Sequence, residues 1–185
     1  MRALVVYESM FGNTRKIAEA VAEGLSGYAE IDVVEVGAAG RPADDVGLIV
    51  VGGPTHAHGM SRPGTRQGAA KDAGADLVSR GVGVREWLGS LPAARGPVAA
   101  AAFDTRFDKP VWLTGSAARG AARHLQRRGY RLAALPESFF VGASSGPPAP
   151  GELDRARRWG QTLGVGLVAA GGIGGIGGIS DGGRR

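Results

Sequence analysis

The six residues Ser9-Met10-Phe11-Gly12-Asn13-Thr14 place two hydroxyls, a carboxamide and a glycine between an aliphatic run and a helical pattern. An anion at the start of a helix meets backbone N–H groups that no helical carbonyl satisfies, together with the positive end of the helix dipole. No lysine is then needed to hold it. Gly12 lets the backbone approach closely, and Ser9, Asn13 and Thr14 add side-chain donors. The same residues also suit plain helix capping by Ser9 or Asn13. A second segment, Gly52-Gly53-Pro54-Thr55-His56-Ala57-His58-Gly59-Met60-Ser61, follows another aliphatic run. Its glycines and proline make a turn with exposed N–H and C=O groups, a lining suited to a planar ring. The third, Phe103-Asp104-Thr105-Arg106-Phe107-Asp108, sets aromatics beside backbone donors.

These segments need a scaffold that brings them to one place. Residues 3–7, 31–36, 46–51 and 97–103 are short, nearly continuous apolar runs, the pattern of parallel strands buried on both faces. Residues 130–134 and 138–141 read as two pieces of a fifth strand, interrupted at Leu135-Pro136-Glu137. Helical spacing links Ile17, Ala18, Val21, Ala22 and Leu25. A last helix from about Glu152 carries Leu153, Ala156, Trp159, Leu163 and Leu167 on one face. A weak helical pattern covers residues 62–80, broken by Gly68 and Gly74, and a short one residues 84–91; another helix starts near Ser116, which can cap it. Strands alternating with helices predict a parallel α/β sheet covered on both sides. In such sheets ligands bind beyond the carboxyl ends of the strands, which is where the three segments fall.

The run Val5-Val6-Tyr7-Glu8-Ser9-Met10-Phe11-Gly12-Asn13-Thr14 resembles the flavodoxin signature: an aliphatic pair and an aromatic, then a hydroxyl, then Gly-x-Thr at fixed distance. Gly53-Pro54-Thr55 is similar to the family's second flavin loop, and the likeness in layout extends from Met1 to roughly Ala170. The resemblance implies a flavodoxin-like three-layer sandwich with a five-stranded parallel sheet of order 2-1-3-4-5 and FMN as cofactor. Ser9, Met10, Phe11, Gly12, Asn13 and Thr14 would bind its phosphate. Pro54, Thr55, His56, Ala57 and His58 would line one edge of the ring, and Phe103, Asp104, Thr105, Arg106 and Phe107 the other. Arg106 could stabilise the negative charge of the reduced ring, or it could face solvent or pair with Asp104 or Asp108.

Electron-carrier members place Thr where Met10 and Phe11 stand, flank the ring with a Trp and a Tyr not found in these segments, and tend to be acidic. The Ser-Met-aromatic-Gly version is more similar to the quinone-oxidoreductase branch. The implied activity is therefore electron transfer or NAD(P)H:quinone-type reduction, with a redox partner protein, NAD(P)H or a quinone on the other side. The alternative is a flavodoxin-like binding module that has lost FMN and acts through protein partners. No catalytic residue is assigned, and a homodimer is among the states left open.

Composition narrows the field further. The 185 residues suit one domain, expected over residues 1–170, and contain no cysteine, which removes disulfides, thiolate catalysis and cysteine-ligated metals. No apolar run approaches the ~20 residues of a membrane span, and a cytoplasmic setting is expected. The formal net charge is +5, and nineteen of the 22 cations are arginine, the bias a GC-rich coding sequence would give. Yet no acidic residue lies between Asp108 and Glu137, where Arg119, Arg123, Arg127, Arg128 and Arg131 follow one another. Such a stripe is ordinarily a solvated face, though basic surfaces also steer anionic partners; nucleic acid is not the expected one.

Other motifs fail. Gly172-Ile173-Gly174-Gly175-Ile176-Gly177 matches the dinucleotide fingerprint by letter but has no strand before it and no helix after. Prolines at 147, 148 and 150 deny Gly142-Ala143-Ser144-Ser145-Gly146 the helix a nucleophile elbow needs. His56 and His58 have no nearby carboxylate, so no metal is expected. Residues 171–185 are glycine-rich with almost nothing to bury, which predicts a flexible tail without assigned function.

Overall fold

The computed structural model describes residues 1–74 and 77–172. Its aliphatic runs form strands β1 (Arg2–Tyr7), β2 (Glu30–Glu35) and β3 (Val46–His56), a two-residue strand β4 (Gly59–Met60), then β5 (Ala99–Phe107), β6 (Arg131–Leu132) and β7 (Glu137–Val141). The main strands run parallel in the order β2-β1-β3-β5, with β6 and β7 both alongside β5 as the two pieces of the outer strand. That is the expected 2-1-3-4-5 order. Pro136, with no N–H to give to the ladder, lies in the break between β6 and β7.

The central strands β1, β3 and β5 are buried on both faces because their alternate side chains enter different cores. Leu4, Val6, Ile49, Val51, Ala100 and Ala102 face the helices α3 (Val84–Ser90) and α5 (Ala117–Arg127), meeting Trp87, Leu88, Ala118, Ala121 and Leu125. Ala3, Val5, Leu48, Val50, Ala99, Ala101 and Phe103 face α1 (Asn13–Leu25) and α6 (Glu152–Gly172), meeting Ile17, Val21, Leu25, Leu163 and Leu167. On this side Phe103, Phe139 and Trp159 make a mutual edge-to-face cluster with centroids 5.9, 6.0 and 6.1 Å apart.

Two further helices were less legible. α2 (Pro63–Ala73) buries no residue and runs straight through Gly68, stopping at Gly74; α4 (Val111–Thr114) is a single turn with no helical spacing to announce it. α6 continues two residues past the expected end of the domain, and the rest of the glycine-rich segment, residues 173–185, lies outside the described residues. No helix among the described residues is long and apolar enough to cross a membrane.

The structure corrects the reading of residues 52–56 and 103–107 as loops. They are the carboxyl ends of β3 and β5, with Gly52, Gly53 and Pro54 in register with Phe103, Asp104 and Thr105, and Phe103 to Phe107 in register with Glu137 to Val141. Glycine and proline suggested a turn, but the neighbouring strands offer a continuous ladder. The pairing with β1 ends at Tyr7 and Gly52, so Pro54 sits on a one-sided edge that tolerates a missing donor.

α1 and α6 cross at backbone contact. A Cβ on Gly24 would stand 2.1 Å from the Arg157 carbonyl oxygen, and one on Gly160 would stand 2.3 Å from that of Val21. Neither obstacle is a movable side chain, so the helices must separate to admit a methyl group. Gly24→Ala should therefore lower the unfolding free energy by about 1–3 kcal/mol in urea denaturation, whereas Gly27→Ala, with nothing within 4 Å of the added atom, should change it by less than about 0.5 kcal/mol.

Candidate functional site

The chain leaves β1 at Tyr7 and enters α1 through Gly12, whose φ of 87° is left-handed and favours glycine. No side chain caps α1, and no acidic residue lies in its first turn. The capping alternative is thereby removed. Asn13 Nδ2 instead donates to the Ser144 carbonyl at 3.1 Å, and Ser9 Oγ is fully buried without a hydrogen-bond partner among the described residues. Burying a hydroxyl unpaired costs about 1–3 kcal/mol, so this atom marks a place where an acceptor or donor is wanted.

The loop is held by a segment no local pattern pointed to. Ser79 Oγ accepts from Ser9 N at 2.9 Å, while Ser79 N donates to the Ser9 carbonyl at 2.8 Å and Val78 N to the Met10 carbonyl at 3.1 Å. Ser79 is buried and stands seventy residues along the chain from its partner, which is why sequence spacing could not find it. A hydroxyl pair, Thr14 Oγ1 to Thr105 Oγ1 at 2.8 Å, ties α1 to β5.

A half-open cleft lies at this point. The first segment contributes Ser9, Met10, Phe11, Asn13 and Thr14, the end of β3 contributes Pro54, Thr55 and His56, and the end of β5 contributes Thr105, Arg106 and Phe107. Val141 and Ser144, neither foreseen, close it from β7 and the loop beyond. A more open groove continues from it, sharing Phe11, Thr55, His56 and Ser144 and bounded by α2 at Thr65, Gly68, Ala69 and Asp72.

Four of the residues expected along the ring do not line this cleft. Phe103 is in the aromatic core described above. Asp104 points to the opposite face of β5 from Thr105, as the two-residue period of a strand requires. Its Oδ2 accepts from Ser116 Oγ at 2.6 Å, Ala118 N at 2.9 Å and Thr55 Oγ1 at 3.1 Å, so it secures the start of α5, where Ser116 Oγ also accepts from Arg119 N. Ala57 and His58 form the exposed turn between β3 and β4, with φ of 42° and 72°. Positive φ at both turn residues matches the twist of a tight hairpin.

Arg106 is oriented rather than free. Its Nη1 donates to the Lys109 and Phe107 carbonyls at 2.6 and 3.1 Å and to Thr114 Oγ1 at 3.3 Å, and its guanidinium lies 5.0 Å above the Phe140 ring. No ion pair to Asp104 or Asp108 forms, while Nε is buried without an acceptor. Burial, then the positive charge of Arg66, hold the His56 imidazole below its ordinary range, opposed in part by a backbone hydrogen bond at Thr65. His56 is therefore neutral at pH 7 and adds no charge to the cleft. Among the described residues no three His, Asp or Glu side chains gather where a metal could be held.

Behind the cleft, Glu8 turns into the protein. Its Oε2 accepts from Val84 N at 2.8 Å and Oε1 has no partner, while Arg66 Nη1 bridges Ser61 Oγ at 3.0 Å and Glu86 Oε2 at 3.1 Å nearby. Burial pushes the Glu8 carboxyl above its usual range, against the pull of Ser61, Val84 and Arg66. An aromatic missed in the sequence, Trp112, is 82% exposed on α4, and Phe107 and Leu113 are also exposed. α4 is joined to the cleft wall by Arg106 and Thr114, and a bridge between His58 and Gly115 links it to the hairpin.

No family model matches the chain, and no curated protein matches it in sequence. Solved structures do match it in shape. A flavodoxin from the domain Archaea superposes with a TM-score of 0.62 at 19% identity, covering 91% of this chain and 99% of that one. Oxidised flavodoxin 1 from Bacillus cereus gives 0.61 at 16%, covering 88% and 97%. A WrbA-like flavodoxin from Agrobacterium tumefaciens gives 0.59 at 20%, covering 91% and 98%. The chain has the flavodoxin-like fold, with a cleft at the carboxyl ends of its strands.

The raised carboxyl of Glu8 has a definite sign. Its folded-state value lies above that of the unfolded chain, so the stability it contributes is fully present below the ordinary carboxylate range and is lost as pH rises through the raised value. Glu8→Gln cannot ionise. In urea denaturation, its stability relative to the unsubstituted chain should rise as pH climbs above the ordinary carboxylate range; a difference independent of pH would contradict the assignment.

Proposed function

We propose that the chain is an FMN-binding redox protein, acting in electron transfer or in NAD(P)H:quinone-type reduction. The observation that carries this reading is the buried, unpartnered Ser9 hydroxyl beside an uncapped helix start, with Gly12 in the left-handed conformation. Arg106 Nε, likewise buried and unpartnered, belongs to a residue of the same cleft. A phosphate gives Ser9 and the first amides of α1 the acceptor that the protein withholds. The solved structures of like fold described as flavodoxins lend support.

FMN, when bound, supplies the electron and hydride chemistry. The chain's own groups position and tune it. The main chain of residues 9–14, with Ser9, Asn13 and Thr14, would hold the phosphate, and the buried Met10 and half-buried Phe11 shape the wall beside it. Pro54, Thr55 and His56 would line one edge of the ring and Thr105, Arg106 and Phe107 the other. Ala57, His58, Phe103 and Asp104 act from outside the cleft by fixing the hairpin, the strand and α5. Arg106 Nε would donate toward the ring edge where negative charge grows on reduction, and the guanidinium needs no rearrangement because Nη1 is already tethered. The open groove along α2 is where a quinone or nicotinamide would approach, or a redox partner would present its own centre.

Titration of FMN with the apo-protein tests the reading: flavin fluorescence should be quenched with a micromolar or tighter Kd. No quenching would leave the flavin-free binding module instead. Ser9→Ala removes a buried hydroxyl that has no partner among the described residues, so urea stability should not fall and should rise by up to about 1–3 kcal/mol. Its FMN affinity should fall by about tenfold or more, the worth of one hydrogen bond to a charged acceptor. NADPH consumption with a quinone then separates an enzyme from a carrier.

A further inference from the structure

The exposed face of α5 is a row of arginines without counter-charges. Arg119, Arg123 and Arg127 recur at four-residue spacing, all are exposed, and none makes an ion pair among the described residues. They span about 12 Å at 1.5 Å per residue. α5 has no acidic residue, and its neighbours add none that is free. Asp104 is buried under the start of the helix, and Glu86 of α3 is taken by Arg66. Arg85 of α3 is held over this side by the Met60 and Ser61 carbonyls, which leaves its charge uncompensated. His124, on the same helix, registers the resulting field: burial first, then Arg127, Arg85, Arg128 and Arg123, hold its imidazole below the ordinary range.

An apolar patch adjoins the row at the end nearer the cleft. Trp112 is 82% exposed, Leu113 49% and Phe107 43%, with Phe107 itself in the cleft wall and α4 leading directly into α5. Exposed aromatic and aliphatic groups bordered by arginine are the ingredients of a protein interface, with an apolar centre and a charged rim. A surface serving only a phosphate backbone would have no need of apolar groups at the mouth of the cleft.

We propose that α4 and the arginine face of α5 form a docking surface for an acidic redox protein, whose carboxylates meet Arg119, Arg123 and Arg127 while its apolar centre covers Trp112 and Leu113. The proposal rests on the redox reading of the cleft, because docking here brings the partner to the rim at Phe107. Opposite charge also steers the encounter, so association weakens as salt rises.

The test uses the full chain and a small acidic c-type cytochrome in the ferric state, with binding measured on the immobilised chain without FMN at an ionic strength of ~0.01 M, where charges act over ~30 Å. The triple variant Arg119→Glu, Arg123→Glu, Arg127→Glu should weaken binding at least about tenfold. A control of equal net charge on other exposed arginines, Arg41→Glu, Arg95→Glu, Arg158→Glu, should weaken it less than about twofold. Trp112→Ala should cost about fivefold. In a second arm the chain is loaded with FMN and photoreduced. Each ferric haem takes one electron, two haems per fully reduced FMN, and the rate should fall in the triple variant but not with a neutral quinone as acceptor.

Equal losses in the triple variant and its control would reduce the effect to bulk charge and overturn the proposal, as would no binding of the cytochrome at all. So would tighter binding of a duplex oligonucleotide that is lost in the same triple variant. If FMN fails to bind, the first arm still reads the surface, so a failed cofactor assignment and a failed docking site give different results.

Discussion

The arrangement of this site turns on the start of α1, which no side chain caps among the described residues. Gly12 in its left-handed conformation turns the chain so abruptly that neither Ser9 nor Asn13 comes back to cap the helix. The positive end of the helix dipole then lies beside a cleft lined by Ser9, whose buried hydroxyl has no partner among the described residues. Leaving such groups unpaired is unfavourable unless something outside the chain completes them. The remaining features of the site either keep that loop open or shape the space in front of it.

Keeping it open falls to contacts that are distant in sequence. Ser79 and Val78 pair with Ser9 and Met10 through the main chain, and Thr14 meets Thr105. Glu8, one residue upstream, is turned to the other side of the sheet and tied to the start of α3 through Val84 N. A carboxyl buried there is unfavourable to ionise, yet its hydrogen bond joins β1 to the segment that also supplies Ser79. The loop of residues 9–14 is therefore fixed from beneath by β1 and from the side by residues 77–84.

The cleft wall follows from strand periodicity. Because β5 remains extended to Phe107, its side chains alternate: Phe103 and Thr105 go to the α1 side, Asp104 and Arg106 to the α5 side. Asp104 then organises the start of α5, and Arg106 reaches α4 through Thr114. The end of β5 at the cleft is thus coupled to the surface that carries Trp112 and the arginine row. Polar groups on one face of the strand hold the outer elements, and Thr105 on the other holds the start of α1.

Much of this was legible in the residues themselves. The apolar runs and the helical spacing of Ile17, Val21 and Leu25 are local consequences of burial on one or two faces, so they determined the α/β class, a parallel sheet and the break near Pro136, while the strand order followed from the family resemblance. The composition of residues 9–14 determined that a helix would begin beside a glycine and several donors. Tertiary structure alone decided which donors stay unpaired, because that depends on whether Ser79, Ser144 or Thr105 arrives first, and their separations in sequence carry no signal. It also decided that residues 52–56 and 103–107 are strand, since a ladder partner overrides the turn preference of glycine and proline. For the same reason Phe103, Asp104, Ala57 and His58 left the cleft while Val141 and Ser144 came to it. Local chemistry chooses the elements, and long-range pairing chooses which side chains face the same space.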